Sequence, residues 1–276
     1  MTAAAEPAEG TDTADLLTVA GAVVSYRRPG ASPLRAVDGV ELRLAPGETV
    51  GLVGESGCGK STLARAICGL EPLTAGEIHF RGTPVPPLGL RRRPAALQRI
   101  QMVFQNPYAS LNPRRTIRAQ IESARQIHPS TAPDVGELLA MVELPADVAT
   151  RYPHEFSGGQ RQRIAIARAV AAGPDVLIGD EPIASLDASL QAKIATLMKD
   201  VAARAGASLL FISHDLAVVR LIADRVVVMR AGTVVEQGPT QQIWSDPQAS
   251  YTRRLLAAIP KADGLGTLPE VLELED

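Results

Sequence analysis

Gly54-Glu55-Ser56-Gly57-Cys58-Gly59-Lys60-Ser61-Thr62 fits the phosphate-binding pattern G-x-x-x-x-G-K-[ST]. Its surroundings fit as well. Glu48-Thr49-Val50-Gly51-Leu52-Val53 ahead of it reads as a short buried strand, and Leu63-Ala64-Arg65-Ala66-Ile67 behind it continues as a helix. Glycines let backbone approach an anion closely, and the first turn of a helix aims its free N–H groups at phosphate oxygens. The stretch 54–62 is therefore expected to cradle a nucleoside triphosphate. Lys60 is placed to reach the β- and γ-phosphates, and the Ser61 hydroxyl to ligate Mg²⁺.

The composition is that of an ordinary globular protein. The chain has 276 residues, 46% hydrophobic and 21% charged, enough for one large domain or two small ones. A net charge of −2 gives no electrostatic reason to expect nucleic acid as a partner. No apolar run approaches the roughly 20 residues that span a bilayer. Residues 1–15 are Ala/Glu/Thr-rich without the basic and apolar regions of a signal peptide, and are expected to be a disordered leader. Two cysteines, Cys58 and Cys68, offer neither a disulfide framework nor metal-cluster spacing, which points to a reducing cytoplasm.

Strands are expected at 16–19, 22–26, 36–44, 48–53, 76–80 and 100–104, with a Gly/Pro/Arg loop at 27–33 and a surface connection at 84–93. The run Arg91-Arg92-Arg93 reads as a solvated face. After Gln105 the chain changes character, with several prolines and helical patterns at 118–126 and 135–142. An inserted helical subdomain is expected over about 106–160. Apolar strand runs resume at 176–178, 209–212 and 225–229, with helices at 160–171 and 189–204 between them and a last helix at 251–258. This alternation implies a mostly parallel sheet covered on both faces. The fold class is α/β; the phosphate loop set in this alternation resembles a RecA-like P-loop core, and that resemblance implies an N-terminal antiparallel β subdomain beside the helical insert.

Two further signals carry chemistry. Val176-Leu177-Ile178-Gly179-Asp180-Glu181 ends a buried strand on two carboxylates, with Asp180 placed to hold Mg²⁺ and Glu181 to orient or deprotonate a water. Phe156-Ser157-Gly158-Gly159-Gln160 opens a basic helix. Ser157 is a natural N-cap, and the two glycines leave N–H groups at the positive end of the helix, a second anion site. One P-loop and one separate anion site per chain suggest a dimer in which each nucleotide is clamped between two subunits.

With these motifs the chain resembles the nucleotide-binding subunits of ATP-binding cassette (ABC) transporters over about 16–260, with 261–276 left as a loose acidic tail. The resemblance implies further roles. Tyr26 stands where the family stacks an aromatic ring on adenine. Gln105 matches the glutamine that contacts Mg²⁺ and the attacking water. Asp187 matches the loop that crosses the dimer interface, and His214, in Ile212-Ser213-His214-Asp215, the histidine that contacts the γ-phosphate. The catalytic set is then Glu181, His214, Gln105 and Lys60. Nucleotide contacts fall on Tyr26, Gly54 to Thr62, Ser157, Gly158, Gly159, Gln160 and Asp187, and Mg²⁺ on Ser61, Gln105 and Asp180.

Finer features are similar to the oligopeptide/dipeptide/nickel importer subfamily, on the side of the second of its two ATPases. They are Phe104-Gln105-Asn106-Pro107-Tyr108-Ala109-Ser110-Leu111-Asn112-Pro113 and the tail Tyr251-Thr252-Arg253-Arg254-Leu255-Leu256-Ala257-Ala258-Ile259-Pro260. That likeness implies a second, different ATPase chain, two membrane permeases, an extracytoplasmic solute-binding protein and a place on the cytoplasmic face of the membrane. Three stretches depart from the pattern: Phe156 for the commoner Leu, Ile183-Ala184-Ser185 for Thr-Ser-Ala, and Gly179 for a bulky apolar residue. Gly179 is expected to loosen the packing of its strand. A soluble ABC-type ATPase in DNA repair or translation, and an adaptor that uses ATP as a switch, stay open as alternatives.

Overall fold

In the computed structural model the described residues are 15–28, 30–89, 93–106, 110–129, 132–184 and 187–259. The expected leader, apart from Asp15, and the expected acidic tail lie outside them, as do Arg91, Arg92 and Pro107–109. The chain builds two sheets. One is antiparallel, in the order β2 (Ala31–Leu44), β1 (Leu17–Arg28), β4 (Ala75–Phe80), β5 (Thr83–Pro84). The other has six strands in the order β10 (Thr233–Pro239), β9 (Arg225–Arg230), β3 (Thr49–Val53), β8 (Ser208–Ile212), β7 (Val176–Asp180), β6 (Ile100–Val103). Its ladders are parallel except β9 with β10.

The central strands β3, β7 and β8 are buried at every position, which is why they read as unbroken apolar runs rather than alternating ones. Their side chains alternate between two cores. Leu210 and Ile212 of β8 face a core shared with the antiparallel sheet and helix α1 (Lys60–Ile67). Leu209 and Phe211 face a second core, formed with helices α2 (Ile117–Arg125), α3 (Val135–Met141), α4 (Gly158–Ala171), α5 (Ala188–Arg204) and α6 (Leu216–Ile222). Helices α7 (Thr240–Ser245) and α8 (Ser250–Ala257) close the described chain. No helix among the described residues is long and apolar enough to cross a membrane.

The structure corrects several sequence expectations. The two strands expected at 16–19 and 22–26 are one strand, β1. Its register slips between Val19 and Ala22, where Gly21 takes a φ of 58°. The bulge switches the buried set from Leu17 and Val19 to Ala22 and Val24, so a single strand changes parity and looks like two. Of the loop expected over 27–33, Arg27 and Arg28 belong to β1 and the residues from Ala31 onward to β2. Helix α6 was not expected: Leu-Ala-Val-Val-Arg-Leu-Ile has no polar face. Its signal is Asp215, whose Oδ1 accepts the N–H groups of Ala217 and Val218 at 2.9 and 3.1 Å. Gly51 lets this helix lie close, since a Cβ there would stand 2.4 Å from Val219 Cγ1. β10 and α7 were also missed, β10 being a mostly half-exposed edge strand.

Gly179 does not leave the strand loose. A Cβ built on it would stand 2.9 Å from Met198 Cε and 3.1 Å from Pro182 Cγ, so the fully buried Met198 already fills that space. Met is well suited to the task, being unbranched and adaptable. Gly179→Val is expected to lower unfolding free energy by about 1–3 kcal/mol through overpacking. Adding Met198→Ala should recover part of that loss although Met198→Ala alone is destabilising. Denaturant titrations of the four proteins measure the coupling, and purely additive losses would show that the two side chains do not compete for one space.

Candidate active site

The loop 54–59 leaves the C-terminal end of β3 and enters α1. Its glycines are dictated by backbone contact. Gly54 has a φ of 149°, and a Cβ on it would stand 2.2 Å from Met229 O. Gly59 has a φ of 107°, and its Cβ would stand 2.1 Å from Ala36 O. Both are conformations L side chains rarely adopt. Gly232 N–H donates to Cys58 O at 2.9 Å and Asp38 N–H to Gly232 O at 2.9 Å, so β2 and the β9–β10 turn together support the loop from outside.

Lys60 is 3% exposed and closes the loop on itself. Its Nζ donates to Gly54 O at 2.7 Å and to Glu55 O at 2.8 Å, with Cys58 Sγ at 3.8 Å. Burial pushes the Cys58 thiol above its usual range against the pull of Lys60, and burial takes Cys68 to about 12. Both thiols therefore stay protonated at neutral pH, and alkylation of Cys58 is expected to be slow.

At the next residue, Ser61 Oγ donates to Asp180 Oδ1 at 2.6 Å. This joins the helix after the phosphate loop to the end of β7. Asp180 is 4% exposed, and burial raises its carboxyl pKa against the lowering by the Ser61 hydrogen bond. A buried carboxylate beside a hydroxyl, both hard oxygen donors, suits a small divalent cation such as Mg²⁺.

The next residue, Glu181, has a φ of 47°, strained for a non-glycine residue, and its N–H donates to Ile212 O at 3.0 Å. Gln105 Nε2 donates to Glu181 Oε2 at 3.4 Å, and His214 Nδ1 stands 3.6 Å from the same oxygen. Three residues chosen from three distant stretches thus meet at one carboxylate, because β6, β7 and β8 are neighbours in the sheet and each ends just before one of them.

The remaining sequence candidates make contacts of their own. Ser157 caps α4 with a full capping box: its Oγ accepts the Gln160 N–H at 3.3 Å while Gln160 Oε1 accepts the Ser157 N–H at 3.0 Å. Gly158 has open space beside it, whereas a Cβ on Gly159 would stand 2.7 Å from Leu190 Cδ2. The second glycine therefore serves helix packing. Asp187 caps α5, its Oδ1 accepting from Leu190 N–H at 2.9 Å and Ser189 Oγ at 2.8 Å. The Leu190 bond, then the Ser189 bond, holds its carboxyl below the usual range. Tyr26, on β1, is 37% exposed. Among the described residues no hydrogen bond or ion pair joins Ser157, Gly158, Gly159, Gln160 or Asp187 to the phosphate loop or to Glu181. One contact was not anticipated from sequence: the Tyr251 hydroxyl on α8 accepts the Glu55 N–H at 3.3 Å.

The family model described as ABC transporter matches residues 37–184, just over half of the chain. The chain belongs to the ABC transporter family. A relative from Brucella abortus (strain 2308), named "Putative peptide import ATP-binding protein", is 48% identical over 238 residues, covering 83% of this chain and 70% of its own length. A protein of the same printed description from Brucella ovis is 44% identical over 253 residues, covering 90% of this chain and 80% of its own length. Among solved structures, this ABC chain is similar to the dimeric post-hydrolysis state of the ATP-binding cassette MJ0796 bound to ADP and Pi. That likeness has a TM-score of 0.69 and 27% identity, covering 81% of this chain and 98% of that one. It is also similar to cbiO1 from Clostridium perfringens, described as part of an ABC transporter complex, with a TM-score of 0.68 and 25% identity over 84% and 91% of the two chains. These likenesses bear out the cassette fold with its antiparallel and parallel sheets.

Proposed function

We propose that the chain is the ATP-binding and hydrolysing subunit of an ABC importer that takes up peptides or a related small solute. The observation that carries the reaction is the adjacency of two clusters at the C-terminal ends of β3, β6, β7 and β8: Lys60–Ser61–Asp180, and Gln105–Glu181–His214. The solute class is supported by the peptide-import names of the two Brucella relatives.

In this reading Gly54 to Thr62 hold the triphosphate through backbone N–H groups, and Lys60 exchanges its two carbonyl partners for phosphate oxygens. Ser61, Asp180 and Gln105 would hold Mg²⁺, which supplies charge neutralisation at the phosphates when bound. Glu181 orients and deprotonates the attacking water. Gln105 and His214, both beside its Oε2, fix where that carboxylate points, and His214 reaches the γ-phosphate. Tyr26 stacks on adenine. Most of the rate enhancement is positioning and electrostatics, as phosphoryl transfer asks for little covalent help.

Ser157, Gly158, Gly159 and Gln160 serve the nucleotide of a second cassette, and Asp187 lies at the seam between the two. Among the described residues no hydrogen bond or ion pair joins them to the phosphate loop of their own chain, which supports that assignment. The second cassette is a different ATPase chain. The domain over 16–260, through its helices between β6 and β7, passes closure to two permeases on the cytoplasmic face of the membrane, and an extracytoplasmic binding protein delivers the solute.

Calorimetric titration of the purified chain with ATP tests the site. ATP is expected to bind, more tightly with Mg²⁺ than with a chelator present, and Asp180→Asn should remove that Mg²⁺ advantage while leaving metal-free binding in place. Equal affinity with and without Mg²⁺ in the unaltered chain would overturn the assignment of Ser61 and Asp180.

A further inference from the structure

Helix α8 reaches back to the phosphate loop from the far end of the described chain. Its Tyr251 is 5% exposed, and its hydroxyl accepts the Glu55 N–H across 196 positions of sequence. The Arg230 guanidinium carbon stands 5.1 Å from the ring centroid, which fixes the ring from its face. The start of α8 is itself tethered: the Glu236 carboxylate on β10 accepts the N–H groups of Gln248 and Ala249 at 2.7 and 3.0 Å.

The peptide groups of Glu55 are thus held on both sides. Its carbonyl accepts from Lys60 Nζ at 2.8 Å and its N–H is taken by Tyr251. At the crest, Cys58 N–H donates to Glu55 O at 3.3 Å and Gly232 N–H to Cys58 O at 2.9 Å, while a Cβ on Gly57 would meet nothing within 4 Å. When Lys60 leaves the Glu55 carbonyl to meet a phosphate, that carbonyl keeps the Cys58 N–H of the same loop, and the Tyr251 hydroxyl remains as the anchor from outside the loop.

The geometry points to Tyr251 as a positioning residue for nucleotide binding, which holds Glu55 in place when Lys60 turns to the triphosphate. This inference rests on reading the loop as an ATP site. It places the contribution of the hydroxyl in the ATP-bound state, where Lys60 no longer shares the task, rather than in the stability of the free chain.

Tyr251→Phe removes the hydroxyl and keeps the ring against Arg230. Loss of one net hydrogen bond in the bound state is expected to raise the Kd for ATP about threefold to tenfold, with the Tm of the free chain within about 1 °C of the parent. The extra thermal stabilisation that saturating ATP confers should shrink accordingly. Glu236→Ala, which loosens the seat of α8 without touching the loop, should move the Kd in the same direction. An unchanged Kd in Tyr251→Phe, or a rise matched by a drop in free-chain Tm, would overturn the inference while ATP binding by the unaltered chain still stood. An unaltered chain without ATP affinity would overturn the functional reading as well, so the two failures are told apart.

Discussion

Glu181→Gln is expected to cut ATP turnover by about 10²–10⁴-fold, the usual weight of a positioned general base, while ATP affinity stays within about twofold of the parent. The side chains are nearly isosteric, so the contacts of Gln105 and His214 at Oε2 lose a charge but keep their space. The backbone of Glu181, at a φ of 47° and bonded to Ile212 O at 3.0 Å, does not depend on the carboxylate. What disappears is the group proposed to take the proton from water. Single-turnover phosphate release alongside calorimetric titration separates the two effects. Turnover near the parental rate would remove Glu181 from the catalytic role.

The second large effect falls on Gly59. Gly59→Ala is expected to lower ATP affinity by more than about 100-fold. Its φ of 107° alone costs a non-glycine residue about 1–3 kcal/mol, and the new methyl would stand 2.1 Å from Ala36 O. Ala36 is a β2 residue, so its carbonyl cannot step aside as a flexible side chain would. The loop has to shift, and the N–H groups that face the phosphates shift with it. Gly57→Ala is the comparison. Its φ is 81° but nothing lies within 4 Å of the added atom, so only the backbone strain applies and the loss is smaller. Titration of both variants with ATP gives the order, and equal losses would mean that the Ala36 contact does not shape the loop.

These expectations could be framed from sequence because the motifs are local. The phosphate loop, the strand ending on Asp180-Glu181 and the caps Ser157 and Asp187 each depend on residues within a few positions of one another. The buried strands β3, β7 and β8 carried their own signature in unbroken apolar runs. What stayed hidden depends on parity or on distance. The bulge at Gly21 made one strand look like two. Helix α6 hid because its exposed face carries Ala217 and Leu221, the latter 60% exposed, beside the single charge of Arg220, so no polar stripe marks it. Gly179 looked like a packing defect because its partner, Met198, belongs to another element and no periodicity links them. The Tyr251–Glu55 contact spans most of the chain, and Tyr251 stood out in sequence only as part of a resemblance.

The most direct test of the account as a whole is recovery of partners from membranes by tagged Glu181→Gln protein, with and without ATP, identified by mass spectrometry. The account predicts two multi-spanning permeases and a second cassette chain, with the cassette retained more strongly when ATP is present. Recovery of soluble or nucleic-acid-bound partners alone, with no permease under either condition, would contradict it.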